Sequence, residues 1–134
     1  MMKVELAGAV ILNTNKEILL MHRNTEQLKQ WELPGGKLEK GELPEQTAIR
    51  ELKEELNIEI EIEKYLGYKE FEDNETILKY HWYKCRILRG SPELVEEKFD
   101  NLKYFNKKEL EGNRELSSNM KVFISYIDIE KYND

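Results

Sequence analysis

The sequence predicts a single mixed α/β domain, a β-sheet with helices packed on it. Three observations predict this class. One long amphipathic helix, Pro44–Leu56, stands between runs rich in β-branched and aromatic residues. A second helical pattern begins after Ser117 and Ser118. Between the two helices, apolar residues recur every second position, the period of a strand with one wet face. The order along the chain reads β-β-β-α-β-β-β-α, and such an order is stable when helices cover a sheet.

Each element has a local reason. Residues 4–12 are small or β-branched and apolar, as in a buried strand. Asn13-Thr14-Asn15-Lys16 reads as a turn and residues 17–22 as the returning strand, so the chain is expected to open on a hairpin. Residues 24–30 are polar and loop-like, and Trp31-Glu32-Leu33 is a short extended piece ended by Pro34-Gly35-Gly36. Pro44 suits the first helical position, where its missing N–H costs little, whereas Leu43 is a poor N-cap. Ala48, Ile49, Leu52 and Leu56 form the apolar stripe of this helix, and Asn57 can take the left-handed conformation that ends it. Ile58, Ile60 and Ile62 alternate with Glu59, Glu61 and Glu63. Asp73-Asn74-Glu75 reads as a hairpin turn into a long aromatic-rich strand over 76–88. A charged loop over 90–101 leads to a short strand over 102–105. Asn106 can cap a brief helix with Glu109 three residues on. The last helix carries Met120, Phe123, Tyr126 and Ile127 as its stripe.

Length and composition narrow the function. The 134 residues suit one domain spanning 1–134, with no repeat and no linker. A chain of this size buries roughly two-thirds of its unfolded surface, so it folds without disulfides or a structural metal. The 21 Lys and Arg against 27 Asp and Glu leave a net charge of −6, which disfavours a broad basic face for nucleic-acid polymers. No apolar run approaches the ~18–20 residues of a membrane span. Residues 1–4 lead directly into a strand-like run without a signal-peptide pattern, and Cys85 has no partner cysteine. A cytoplasmic protein is expected.

The chemistry concentrates on the first helix. Glu51, Glu54 and Glu55 are i, i+3 and i+4 neighbours and share one patch. A solvated, salt-bridged surface is the plain reading of such a run. That reading predicts Glu followed by Lys or Arg three or four positions later, and this helix has none. The only favourable spacing is Arg50 to Glu54, in the weaker order. Like charges at these spacings cost roughly 0.2–0.5 kcal/mol each on an exposed helix. A bound divalent cation turns that cost into affinity, and an all-oxygen set suits Mg²⁺ or Mn²⁺ rather than Zn²⁺. Just upstream, Pro34-Gly35-Gly36-Lys37 joins glycines that allow close backbone approach with a lysine that can face a phosphate. His22 and His81 fall in strands and belong to no zinc pattern.

Taken together, residues 36–58 resemble the Nudix box, G-x5-E-x7-R-E-U-x-E-E-x-G-U, where U is a bulky apolar residue. Gly36 opens it, Glu42 follows, then Arg50-Glu51-Leu52, Glu54-Glu55 and Ile58. Asn57 stands where the family has Gly, and Leu43 where relatives often have a Ser or Thr cap. The resemblance implies an α/β/α sandwich, a mixed β-sheet between helices with a loop–helix–loop at the active site. It implies hydrolysis of a nucleoside diphosphate linked to another group, assisted by Mg²⁺ or Mn²⁺. It assigns Glu51, Glu54 and Glu55 as metal ligands, a carbonyl of Gly35 or Gly36 as a further one, Arg50 as their orienting residue and Lys37 as a phosphate contact. Glu51 and Glu54 both remain open as the general base. Glu96 and Glu97 occupy the loop that often supplies a further acid, and an exposed acidic loop is the alternative reading. Homodimers are common in the family, so a homodimer is a further expectation.

The flanks point to a substrate class. The proline that marks ADP-ribose enzymes is missing, because no proline lies between Pro44 and Pro92. For the tyrosine that marks dinucleoside polyphosphate enzymes, Tyr65 and Tyr68 come early and Tyr80 late, and all three read as strand packing. The run from Trp31 to Lys37 is similar to W-E-F-P-G-G-K of the MutT branch, which converts (d)NTPs to NMP and pyrophosphate. There Arg23 matches a nucleotide contact, and Asn119 resembles an asparagine that reads the purine edge, with a plain helix-cap role as the alternative. Leu33 replaces an aromatic, Ser118 stands for an Asp, and a base-contacting arginine expected near the 73–75 turn is absent. The expected substrate is therefore a (d)NTP, standard or oxidised. Another nucleoside diphosphate derivative or a non-catalytic nucleotide sensor is the alternative.

Overall fold

The computed structural model describes residues 1–132. Among the described residues, seven strands form two sheets. In the first, β4 (Gly35–Lys37), β1 (Met2–Ile11), β6 (Thr76–Arg89) and β5 (Glu59–Asp73) lie side by side, with β1 parallel to β6 and the other pairs antiparallel. In the second, β3 (Lys29–Glu32), β2 (Ile18–Asn24) and β7 (Phe99–Phe105) are all antiparallel. Helix α1 (Pro44–Leu56) covers one side, and α2 (Lys107–Gly112) and α3 (Ser118–Tyr126) the other. A short 3-10 turn follows at Ile129–Lys131.

Strand alternation explains the sandwich. On β1 and β2, Ala7, Ala9, Ile11, Leu19 and Met21 pack with Ala48, Leu52 and Leu56 of α1. The residues between them, Val10, Ile18 and Leu20, pack with Leu110, Met120 and Phe123 of α2 and α3. Over residues 7–11 of β1 and 18–21 of β2 both faces are dry, which is why these stretches are wholly apolar. The β layer sits between helices, as the Nudix resemblance implied.

The opening hairpin does not form. The 13–16 turn is present, with the Asn13 side chain accepting from the N–H groups of Asn15 and Glu17. Only one bridge, Leu12 to Ile18, joins the two arms before β2 departs for the other sheet. Apolar pattern fixes which face a strand buries, not which strand it pairs with, so the two outcomes look alike in sequence.

Other elements hold with adjusted bounds. α1 starts at Pro44 without a side-chain cap; instead the Gln46 side chain accepts from the Leu43 N–H at 2.8 Å. Asn57 ends it at φ 54°, ψ 41°, the left-handed conformation. Ile49 is not part of the buried stripe, being 43% exposed, and Thr47 and Glu55 are buried in its stead. On a helical wheel Ile49 lies about 100° from Ala48, whereas Glu55 lies about 20° from it. Tyr126 is likewise exposed. β5 runs on to Asp73 through three register shifts that break its period-two pattern. Asn74 and Glu75, both at positive φ, make the two-residue turn into β6. Among the described residues no helix is long and apolar enough to cross a membrane.

Candidate active site

Both sheets contribute to one cleft of about 480 Å³. Leu6, Leu78 and Tyr80 come from the first sheet, and Arg23, Gln30 and Glu32 from the second. Strand β4 and helix α1 form its acidic end, and Ser117 to Asn119 at the start of α3 form the other.

At the acidic end, β4 pairs with β1 through Gly35 and Gly36 and lies against α1. The Glu51 carboxylate fills the space a side chain at Gly36 would take, 2.5 Å from where its Cβ would lie. The Gly35 N–H donates to Glu55 Oε1 at 2.8 Å. Glu55 is 5% exposed. Burial first, then the neighbouring Glu51 charge, pushes its pKa up to about 9. Burial also raises the pKa of half-buried Glu51. Glu54 stands at the rim, its side chain 55% exposed.

Arg50 organises these acids. Its Nη1 donates to Glu51 and to Glu54, both at 2.9 Å. Its Nε and Nη2 grip Glu42 in two parallel bonds of 2.8 and 2.9 Å. The same Nη2 donates to the Lys37 carbonyl. Glu42 also accepts from the Thr47 hydroxyl, and its pKa is drawn down to about 2, chiefly by Arg50. One guanidinium between three carboxylates therefore does what Glu-to-Lys pairing along the helix does elsewhere.

The other expected residues divide. Arg23 lines the cleft but is held by Glu32 through its Nε and Nη2 at 2.8 and 2.9 Å, a partner its sequence position did not reveal. Lys37 lines the cleft with an exposed side chain. Glu96 lines it too, close enough to raise the pKa of both Glu51 and Glu55. Glu97 is exposed and outside the lining. Asn119 is 8% exposed and is not the helix cap, because Ser117 Oγ accepts from the Met120 N–H. Its Oδ1 accepts from Trp82 Nε1 at 2.9 Å. Indole N–H is donor-only, so this bond fixes the amide with its oxygen on Trp82 and leaves the NH₂ for another acceptor, and Asn119 lines the cleft. No spacing rule links residues 82 and 119; only the fold brings them together.

Among the described residues no three acid, His or Cys side chains are gathered into a ready-made ion cage. Arg50 and the Gly35 N–H hold the carboxylates apart. The residues nevertheless fit a hard divalent cation. The donors are all oxygen, and Glu55 is a buried carboxyl that burial and the Glu51 charge hold in its protonated form, a bias that a cation would reverse.

A NUDIX domain model matches residues 2–126, and the chain belongs to that family. It is 36% identical over 93 residues to a CTP pyrophosphohydrolase of Escherichia coli, covering 68% of each protein. It is 43% identical over 60 residues to an 8-oxo-dGTP diphosphatase of the same organism. That match spans 43% of this chain and 46% of the relative, so it covers about half of either protein. In structure it resembles a MutT NUDIX hydrolase from Burkholderia pseudomallei, with a TM-score of 0.83 and 26% identity over 96% of this chain and 100% of that one.

Proposed function

We propose that the chain hydrolyses a nucleoside triphosphate, standard or oxidised, to the monophosphate and pyrophosphate, with Mg²⁺ or Mn²⁺ at the acidic end. The observation that carries this is the two-ended cleft: three α1 carboxylates against Gly35–Gly36 at one end, an oriented amide at the other. The relatives named above carry names for different triphosphates, CTP and 8-oxo-dGTP. A shared acidic end with a variable base end accounts for that difference.

Glu51, Glu54 and Glu55 would hold the cation, with a Gly35 or Gly36 carbonyl and Glu96 as further oxygen donors. Glu97 is the weaker member of that set, since it faces solvent. A bound divalent cation supplies neutralised phosphate oxygens, an activated water and a stabilised leaving group. The chain's own residues do the rest. Lys37 and the free Nη1 edge of Arg23 face phosphate oxygens, and the Asn119 NH₂ donates to an acceptor on the base. Arg50 keeps the carboxylates in register. Glu51 is the better placed of the two base candidates, because burial raises its affinity for the proton that leaves the attacking water. The water oxygen bonds to phosphorus, and a bridging P–O bond breaks.

A release assay on (d)NTPs, oxidised (d)NTPs, ADP-ribose and dinucleoside polyphosphates tests this reading, with Mg²⁺, Mn²⁺ and EDTA arms. Turnover of a triphosphate that stops in EDTA is expected. Preference for ADP-ribose overturns the assignment.

A further inference from the structure

Strands β2 and β3 bring Arg23, Gln30 and Glu32 together on the cleft wall, with Arg23 opposite Gln30 and Met21 opposite Glu32 in the ladder. The Glu32 carboxylate accepts three hydrogen bonds. One oxygen takes Arg23 Nε at 2.8 Å and Gln30 Nε2 at 2.6 Å, and the other takes Arg23 Nη2 at 2.9 Å. The guanidinium also lies over the buried Phe99 ring, 4.9 Å from its centroid. Arg23 is thus gripped along one edge and on one face. Stability alone is a poor reason for this grip. β2 and β3 are already joined by their backbone ladder, and a partly exposed ion pair adds little. Glu32 also brings one more negative charge near Glu55, where it helps to raise the pKa of that carboxyl.

Two other carboxylates stand close to Arg23. Glu55 and Glu96 line the same cleft, and their charges act on the guanidinium. Among the described residues, Arg23 bonds to neither. An arginine released from Glu32 has a flexible stem and a fork that fits a carboxylate. It would settle on the acids expected to hold a cation and would have to be displaced before the cation entered. Arg50 already donates to Glu51 and Glu54, so a second guanidinium on Glu55 or Glu96 would leave few acids of the set uncommitted. We propose that Glu32 is a positioning residue: it holds Arg23 away from Glu55 and Glu96 and so keeps their oxygens open to a divalent cation. The inference rests on the cation and triphosphate reading above. Gln30 anchors the Glu32 oxygen that receives Nε, and the Nη1 edge of Arg23 is left for the substrate.

The test measures Mn²⁺ binding to the nucleotide-free protein, by the loss of the free-ion electron paramagnetic resonance signal, in wild type, Glu32→Gln, Arg23→Ala and the double variant. Glu32→Gln should bind Mn²⁺ about three- to tenfold more weakly than wild type. With Arg23 already replaced by Ala, the same change should matter less than about twofold. The Mg²⁺ needed for half-maximal triphosphate turnover should rise in Glu32→Gln by a similar factor. Loss of one negative charge, with no part played by Arg23, predicts the same weakening in both backgrounds, and that result overturns the proposal. If Glu32→Gln melts below the assay temperature, Glu32→Asp decides: it keeps the charge but is one methylene too short for the fork, so weaker Mn²⁺ binding is expected and binding equal to wild type overturns the proposal. Wild type that binds no Mn²⁺ and cleaves no triphosphate overturns the cation reading and this inference together. Wild type that does both, with Glu32→Gln binding Mn²⁺ as tightly or more so, overturns this inference alone.

Discussion

The two ends of the cleft are built in opposite ways. The acidic end is local: Glu42, Arg50, Glu51, Glu54 and Glu55 lie within fourteen residues, and one helix sets the spacing of the last four. The base end is assembled from β1, β3, β6 and α3, and its oriented amide depends on an indole 37 residues away in sequence. The acidic end concentrates charge and is restrained by one arginine. The other end is restrained by packing, with Leu33, Tyr80, Trp82, Met120 and Phe123 in one buried cluster. A helix can hold chemistry that every member of a family shares, while a surface gathered from distant strands can change its ligand without disturbing that chemistry.

The sharpest way to break this division is at the acidic end. Glu55→Gln and Glu54→Gln should each lower kcat by on the order of a hundred- to thousandfold on every nucleotide, with base preference untouched. Their stabilities should differ. Glu55 holds a pKa of about 9 against the ordinary Glu value of 4.5. Between those values the native state keeps a proton that the unfolded chain has released, so stability falls as pH rises through the window. Gln keeps the acceptor for the Gly35 N–H and abolishes that slope. Ligand-free Glu55→Gln should therefore melt at or above wild type at pH 7–8, and exposed Glu54→Gln should melt as wild type does. A Glu55→Gln that retained near-native kcat would remove this carboxylate from the mechanism.

The base end should break with the other signature. Asn119→Ala should lower kcat/KM roughly ten- to a hundredfold on the preferred base and far less on others, since one oriented donor is lost. Trp82→Phe leaves the amide in place but free to flip, so it should narrow selectivity by a smaller factor. It should also destabilise the fold by about 1–3 kcal/mol, because Trp82 is fully buried against Phe123. Kinetics on a base panel, paired with urea melts, separates the two effects.

The same contrast decides what could be read before folding. The Pro44–Leu56 helix, the left-handed Asn57 and the three carboxylates were legible because 3.6-residue periodicity and box spacing are local facts. The error on that helix, Ile49 inside and Glu55 outside, came from treating Glu as a surface residue. The wheel places Glu55 in the middle of the buried arc, and the Gly35 N–H makes the burial tolerable. Pairing partners were not legible, which is why a hairpin was expected where β1 and β2 part between two sheets. Glu32 on Arg23 and Trp82 on Asn119 both depend on how distant elements come together, so sequence carried no signal for them.

A smaller effect tests how far Arg50 alone carries the acidic end. Glu42 is its bidentate partner and does not itself line the cleft. Glu42→Gln should cost about 1–3 kcal/mol at pH 7, the worth of hydrogen bonds to a charged group. In wild type this stabilisation is complete above 4.5, the ordinary Glu value, and is lost as pH falls toward about 2, where Glu42 itself takes a proton. The variant should therefore melt lower than wild type at pH 6 and close to it at pH 2–3. A constant difference across acid would mean that Glu42 acts through packing.

The smallest expected effect belongs to a histidine behind the base end. His22 offers one ring nitrogen to Asp100 at 2.7 Å and the other to Glu115 at 2.8 Å. Both partners are acceptors when ionised, so the pair favours the protonated ring, in which both nitrogens donate. Burial alone would lower its pKa, but the two carboxylates outweigh it and the pKa is raised. The stability this contributes is fully present below 6.5 and is lost as pH rises through the raised folded value. Glu115 also gives its carbonyl to the Trp31 N–H, and Ser117 N–H returns to the Trp31 carbonyl, so the bond pins the segment that leads to Asn119. Asp100 and Glu115 are largely exposed, so solvent screens most of the attraction. His22→Gln should lower the melting temperature by only about a degree or two at pH 6 and by less at pH 8.5. If the acidic and base ends are as independent as their construction suggests, kcat should not follow this titration, while KM for the preferred nucleotide should rise slightly on the alkaline side. A pH profile in which kcat tracks His22 would show the two ends to be coupled.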